Sequence, residues 1–233
     1  MSGLSRDRCQ AISFDLDDSL WAIEPVITRA DAALHAWLHE HHAPVAARFS
    51  PAGLRQLRRE TDAAHPELAH DLTALRLRTL ETAFTLAGAN AGAAREAFAV
   101  FWRVRNDVEL FPDVLPALQT LQAHYPLGSL SNGNADVDAI GLGDYFNFRV
   151  SARAAGVAKP DPAIFARASA LAGVPPQAML HVGDDPECDV LGAKAAGFSA
   201  VWLNRDGRIW PREDCVPDLE IADLDELVRA LGF

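Results

Sequence analysis

Five short apolar runs punctuate this chain, and each breaks off into polar residues. They are Cys9–Phe14, Leu127–Leu130, Phe146–Val150, Ala178–Val182 and Ser199–Leu203. Runs this short and largely apolar read as buried strands, and Phe146–Val150, which also carries Asn147 and Arg149, reads as a short strand. Between the later ones the texture turns helical: Val114–His124, a stretch from Pro162 to Ala172 with Asp161 placed as its N-cap, and a stretch ending at Ala196 before Gly197. A last amphipathic helix is expected over Ile221–Leu231. Strand and helix in alternation predict an α/β fold, a doubly wound parallel sheet with helices on both faces.

One stretch breaks the alternation. From Trp21 to about Arg105 no strand pattern occurs. Ala30, Ala33, Leu34 and Trp37 share a helical face; Leu72, Leu75, Thr79, Leu80 and Ala83 share another, stopped by Gly88; Ala94, Phe98 and Phe101 mark a third. The expected organisation is therefore a sheet domain made of 1–20 and 106–233, with an all-helical domain, 21–105, inserted into it. Charge follows the same division. Ala22–Arg103 holds nine arginines and nine carboxylates, so the net charge of −11 belongs to the remainder. That balance argues against a nucleic-acid partner bound through a broad basic face. No apolar run approaches a membrane span. The opening MSGLSRDR lacks an apolar leader, and three cysteines without metal-like spacing fit a reduced setting, so a cytoplasmic location is expected. Oligomeric state is not legible.

Open parallel sheets bind ligands beyond the carboxyl ends of their strands. Three expected strand ends carry polar clusters: Asp15, Asp17, Asp18 and Ser19; Ser131 and Asn132; Asp184, Asp185 and Asp189. Six carboxylates on one rim repel each other unless a cation or protons intervene. Oxygen-only donors favour a hard ion, and Mg²⁺ is the natural occupant. Only two of 21 cationic residues are lysines. One of them, Lys159, precedes a proline at a loop near this rim, where a compact ammonium fits among carboxylates better than a planar guanidinium.

These residues resemble the haloacid-dehalogenase-like superfamily of aspartate-nucleophile phosphatases. Its D-x-D-x-[ST] motif is matched by Asp15, Asp17 and Ser19, its strand-ending hydroxyl by Ser131, its basic residue by Lys159, and its acidic motif by Asp184 with Asp189. The resemblance implies a Rossmann-like core with an alpha-helical cap. It implies Asp15 as nucleophile and Asp17 as general acid and base. Mg²⁺ would be held by Asp15, the Asp17 carbonyl and Asp184. Ser131, Asn132 and Lys159 would bind phosphate, with Ser19, Asp185 and Asp189 in support, the last two orienting metal-bound water or holding Lys159.

The segments HPELAHDLTALRLRTLE, SLSNGNADVDAIGLGDYFNF and HVGDDPECDV are similar to bacterial phosphatases acting on flavin mononucleotide and on the phosphorylated ribitylaminopyrimidine of riboflavin synthesis. The resemblance implies flavin mononucleotide or the phosphorylated riboflavin precursor as substrate, with some promiscuity toward sugar phosphates and nucleotides. Trp21, which could stack on a planar ring, and Glu24, Arg76, His70, Asp71 and Arg78 are candidate specificity residues. A phosphatase for another small metabolite, a 2-haloacid dehalogenase, a phosphomutase and an inactive binding module are the alternatives. The dehalogenase would need neither Asp17 nor magnesium, and the inactive module should have lost one of Asp15, Asp17, Lys159 or Asp184.

Overall fold

The computed structural model describes residues 8–233, so most of the opening MSGLSRDR lies outside the described residues. The chain divides into two compact units: the segment through Ala22 with Glu109–Gly133 and Val137–Phe233, and Ile23–Val108 with Asn134–Asp136.

The first unit is built on six parallel strands: β1 Ala11–Phe14, β2 Leu127–Ser131, β3 Phe148–Ser151, β4 Met179–Gly183, β5 Ser199–Leu203 and β6 Leu219–Ile221, in the order β3-β2-β1-β4-β5-β6. Every residue of β1, β2 and β4 is buried, which is why these strands read as continuous rather than alternating apolar runs. Helices follow from local chemistry. Asp161 accepts a hydrogen bond from the Ala163 amide at 2.8 Å and starts Pro162–Ala172 with proline in its first turn. Close packing dictates one glycine, since a Cβ on Gly128 would lie 2.0 Å from the Phe148 ring.

Two expectations need correction. β5 is not the last strand, because β6 pairs beside it, and Ile221 ends that strand instead of opening the terminal helix, which spans Leu224–Ala230. A three-residue edge strand of mixed polarity leaves no run to detect. The terminal helix is instead announced by Asp223, whose carboxylate accepts from the Glu226 amide at 2.9 Å.

The second unit contains helices Ile23–His41, Ala43–Arg48, Pro51–Ala64, Leu72–Leu86 and Ala94–Arg105. Its core joins Ala30, Leu34 and Leu38 to Leu54, Leu57, Leu80, Phe84 and Phe101. Ser50 and Asp71 cap two of these helices through the amides of Gly53 and Ala74. Among the described residues, no helix is long and apolar enough to cross a membrane.

Candidate active site

Chain direction places the site. The connections leave β1 for β2 and β3 on one side and return to β4 on the other, so the carboxyl ends of β1 and β4 lie side by side where the order reverses. Their register pairs Phe14 with Val182, and the Asp15 amide donates to the Val182 carbonyl at 2.9 Å. Asp15 is the first residue past β1, and Gly183 closes β4.

The loop after β1 doubles back at once. Asp18 takes φ +60°, a conformation aspartate tolerates better than most residues, and its amide donates to the Trp21 carbonyl at 2.8 Å. That turn brings the Trp21 indole Nε1 to 2.9 Å from the Asp17 Oδ1, fixing the carboxylate. Trp21 itself is 0% exposed. It therefore cannot serve as the stacking platform the sequence offered; its ring is spent in packing and its N–H on Asp17.

Beneath Asp15 a chain of buried polar groups runs across the sheet. The Lys159 ammonium donates to Asp15 Oδ1 at 2.5 Å and to Asp189 Oδ1 at 2.6 Å. Asp189 Oδ1 also meets His181 Nε2 at 3.1 Å, and His181 Nδ1 meets Ser13 Oγ at 2.9 Å. The second oxygen of Asp189 accepts from the Asp185 amide at 2.9 Å. Asp189 reaches inward because Pro186–Leu191 forms a π-helical turn, and because Gly183 has no Cβ: one there would lie 2.3 Å from the carboxylate. Asp185 does not hold Lys159. Its carboxylate caps that turn, accepting from the amides of Glu187 and Cys188 at 2.8 and 2.7 Å.

Lys159 is placed by β2's loop. Asn132 accepts from the Lys159 amide at 2.7 Å and donates to the Lys159 carbonyl at 3.0 Å. Asn132 thus uses its side chain on the lysine's backbone. Ser131, buried at the end of β2, accepts from the Gly133 amide at 2.9 Å, leaving its hydroxyl proton to donate.

Electrostatics sets the division of labour. Burial pushes the Asp15 carboxyl well up, with Lys159 opposing and the Asp189 and Asp17 charges reinforcing it. Burial also opposes ionisation of Asp189, but the Lys159 charge and the His181 contact overcome it and hold Asp189 below the usual carboxylate range. Burial would lower Lys159, yet its two carboxylates raise it above the ordinary lysine value, so it stays charged. His181 is held below the usual histidine range by burial and by Lys159, against the pull of Asp189. Asp184 is pushed up to about 7 by burial and by the neighbouring Asp189 and Asp18. It accepts from Ser19 Oγ at 3.3 Å and lies 3.5 Å from the Arg208 guanidinium.

Carboxylate oxygens of Asp15, Asp184 and Asp189 lie within 4.8 Å of one another. Two buried carboxylates share one ammonium, and burial makes both Asp15 and Asp184 hard to ionise. This donor set fits a hard divalent cation. Asp189 has both oxygens committed, so Asp15 and Asp184 are the carboxylates with capacity to bind one.

Glu24 and Arg76 belong to the helical unit. Glu24 is exposed on the first turn of Ile23–His41, and Arg76 is ion-paired to Asp31 at 3.1 Å. Asp71 is occupied as a helix cap and Arg78 is exposed. Sequence reading missed Ser13, His181 and Arg208. A histidine inside an otherwise apolar strand, two residues before Gly183, was the available signal.

The family model for haloacid dehalogenase-like hydrolases matches residues 9–197. The chain is 34% identical over 231 residues to 5-amino-6-(5-phospho-D-ribitylamino)uracil phosphatase YigB of Escherichia coli K12, covering 96% of this chain and 97% of that one. The solved 2-haloacid dehalogenase of Pseudomonas syringae pv. Tomato DC3000 superposes with a TM-score of 0.90 at 39% identity, covering 96% and 98% of the two chains. A HAD phosphatase from Thermococcus onnurineus gives 0.66 at 26% identity, covering 96% and 98%.

Proposed function

Since the chain belongs to the haloacid dehalogenase-like hydrolases, we propose that it hydrolyses phosphate monoesters through an aspartyl-phosphate on Asp15. The observation that carries this reading is Asp17 held by Trp21 two residues beyond an Asp15 that is itself pinned by Lys159. Lys159 occupies Oδ1 of Asp15, so Oδ2 is the oxygen free to attack phosphorus. As the new O–P bond forms, the bond to the leaving oxygen breaks and Asp17 gives that oxygen its proton. Water then attacks phosphorus, Asp17 takes a proton from it, and the Asp15–phosphorus bond breaks to release phosphate. Proton transfer of this kind contributes about 10²–10⁴-fold. Ser131 and the Asn132 amide donate to the phosphoryl oxygens, and the Lys159 charge offsets the charge that develops on them. Asp15, Asp184 and the Asp17 carbonyl would hold Mg²⁺, which supplies charge neutralisation between nucleophile and phosphate.

The sheet unit would carry this chemistry and the helical unit would act as the cap that selects substrate. Flavin mononucleotide or the phosphorylated riboflavin precursor is the proposed substrate, with some activity on sugar phosphates and nucleotides. Similarity to the riboflavin-precursor phosphatase across nearly the whole chain supports it. A cytoplasmic setting fits the three unpaired cysteines. The test is magnesium-dependent phosphate release from flavin mononucleotide and a monoester panel, ranked by kcat/KM, with Asp15→Asn abolishing it. Absence of release from every monoester would overturn the reading.

Likeness to a 2-haloacid dehalogenase favours a second reading, displacement of halide by the same Asp15. A halide leaves without a proton, so this chemistry gives Asp17 no role as an acid and leaves it only the activation of water in the second step. Halide release from 2-haloacids without phosphate release from any ester would select it.

A further inference from the structure

The helical unit encloses a cavity of about 240 Å³ between Ile23–His41, Pro51–Ala64 and Leu72–Leu86. Its walls include four guanidiniums, Arg55, Arg58, Arg59 and Arg76, and one carboxylate, Asp31. Leu34, Leu54 and Leu80 supply an apolar floor that is 9% exposed or less. The domain that holds it is charge-neutral in sequence, so this concentration of arginine is local.

The charges do not balance. Asp31 is shared, 3.1 Å from Arg76 and 3.7 Å from Arg55. Arg58 is taken by Asp62 at 2.5 Å. Arg59 donates to the neutral Gln56 amide oxygen, its one hydrogen-bond partner among the described residues. Four cations thus face two carboxylates. Arg76 is deep enough that burial pushes it down to about 10, and its guanidinium lies 3.5 Å over the Phe101 ring, so it is committed to the wall. Arg55, which shares Asp31 with Arg76 and meets it only at 3.7 Å, and Arg59 are the two exposed guanidiniums of the wall and the ones with donors to spare. Guanidinium forks match carboxylates in a bidentate manner, and sites that combine an apolar body with a few convergent polar groups are the usual form of small-molecule pockets.

We propose that this cavity binds a small organic carboxylate, with its anionic end between Arg55 and Arg59 and an aliphatic or aromatic body against Leu34, Leu54 and Leu80. Nothing in this arrangement uses Asp15 or Lys159, so the site stands whether or not the phosphatase reading does.

The experiment follows arginine Nε–Hε resonances of the full-length Asp15→Asn protein by NMR during titration. Benzoate and hexanoate are the probes; acetate has the charge without the body, and benzyl alcohol the body without the charge. Benzoate and hexanoate should shift the Arg55 and Arg59 signals saturably, at least tenfold more tightly than either control. The double variant Arg55→Gln/Arg59→Gln should weaken benzoate binding at least tenfold while retaining its circular dichroism and Tm. Arg59→Gln alone, which disturbs only a contact to Gln56, should weaken it at least threefold. The proposal fails if neither carboxylate shifts these signals, if acetate binds as tightly as benzoate, or if the folded variants bind benzoate undiminished.

Discussion

Replacing Lys159 with methionine keeps the aliphatic stem and removes one charge. In the native protein that ammonium sits 2.5 Å from Asp15 and 2.6 Å from Asp189, with side chains 2%, 11% and 2% exposed. Water barely reaches the two carboxylates left behind, so they keep their desolvation cost and lose its compensation. Removing one partner of a buried ion pair costs about 3–5 kcal/mol. Because one ammonium serves two anions, the upper half of that range is expected at pH 8 with metal chelated. The carboxylates have one escape, which is to share a proton. Between pH 5 and 8 unfolded carboxylates, near about 3.9, bind none. The folded variant binds about one, so its stability falls by about 1.4 kcal/mol for each unit of rising pH. In the wild type burial already raises Asp15, but the Lys159 charge opposes that uptake and holds Asp189 below its usual range, so the slope is shallower than in the variant. The stability gap between the two proteins should therefore narrow as pH drops from 8 to 6, by no more than about 1.4 kcal/mol per unit. Urea unfolding at half-unit steps measures it. A gap below about 1 kcal/mol at pH 8, or one that ignores pH, would refute the view that the charge of Lys159 holds these carboxylates in place.

Asp184 titrates with the opposite consequence for its own replacement. Its carboxyl is pushed up to about 7 in the folded chain, so its own contribution to metal-free stability is fully present below the unfolded carboxylate value and is lost as pH rises through about 7. Asp184→Asn should raise the chelator-treated Tm at pH 8, leave it unchanged at pH 4, and abolish any gain from added magnesium. Trp21→Phe removes the 2.9 Å hydrogen bond to Asp17. A bond to a charged group is worth about 1.5–3 kcal/mol, so kcat should fall about 10–100-fold at constant KM, read by steady-state kinetics. Gly183→Ala forces a Cβ to 2.3 Å from the Asp189 carboxylate, and calorimetry should find about 1–3 kcal/mol of overpacking with loss of activity.

The sheet was legible because strands buried on both faces exclude charged residues and keep few polar ones, so each largely apolar run and the charged or polar cluster that ended it stood out. Helices announced by a side-chain cap, as at Asp161 and Asp223, have boundaries that local chemistry explains. Pro51–Ala64 was harder, since Leu54 and Leu57 are sparse among arginines and the helix is half surface. Within the site, the sequence displays two neighbouring acids, Asp184 and Asp185, and a third at Asp189, but not which of them caps a turn. That depends on a π-helical turn whose extra residue redirects Asp189 inward, a backbone feature no residue pattern specifies. Ser13 gave no signal and His181 only its place inside an apolar strand, because their partnership exists only once β1 and β4 are neighbours.

That partnership has a consequence for how the chain reaches its native state. Ser13 stands opposite His181 in the β1–β4 register. A slip of one residue would turn every side chain of the strand to the other face. The imidazole would then be sealed in the sheet with no hydroxyl beside it, and Asp189 would lose the contact through which it meets the strand pair. Misaligned sheets are penalised at the same atoms that hold the nucleophile's lysine. The register that pairs Ser13 with His181 is thus also the register in which Asp189 and Lys159 reach Asp15, so strand alignment and the geometry around Asp15 depend on the same contacts.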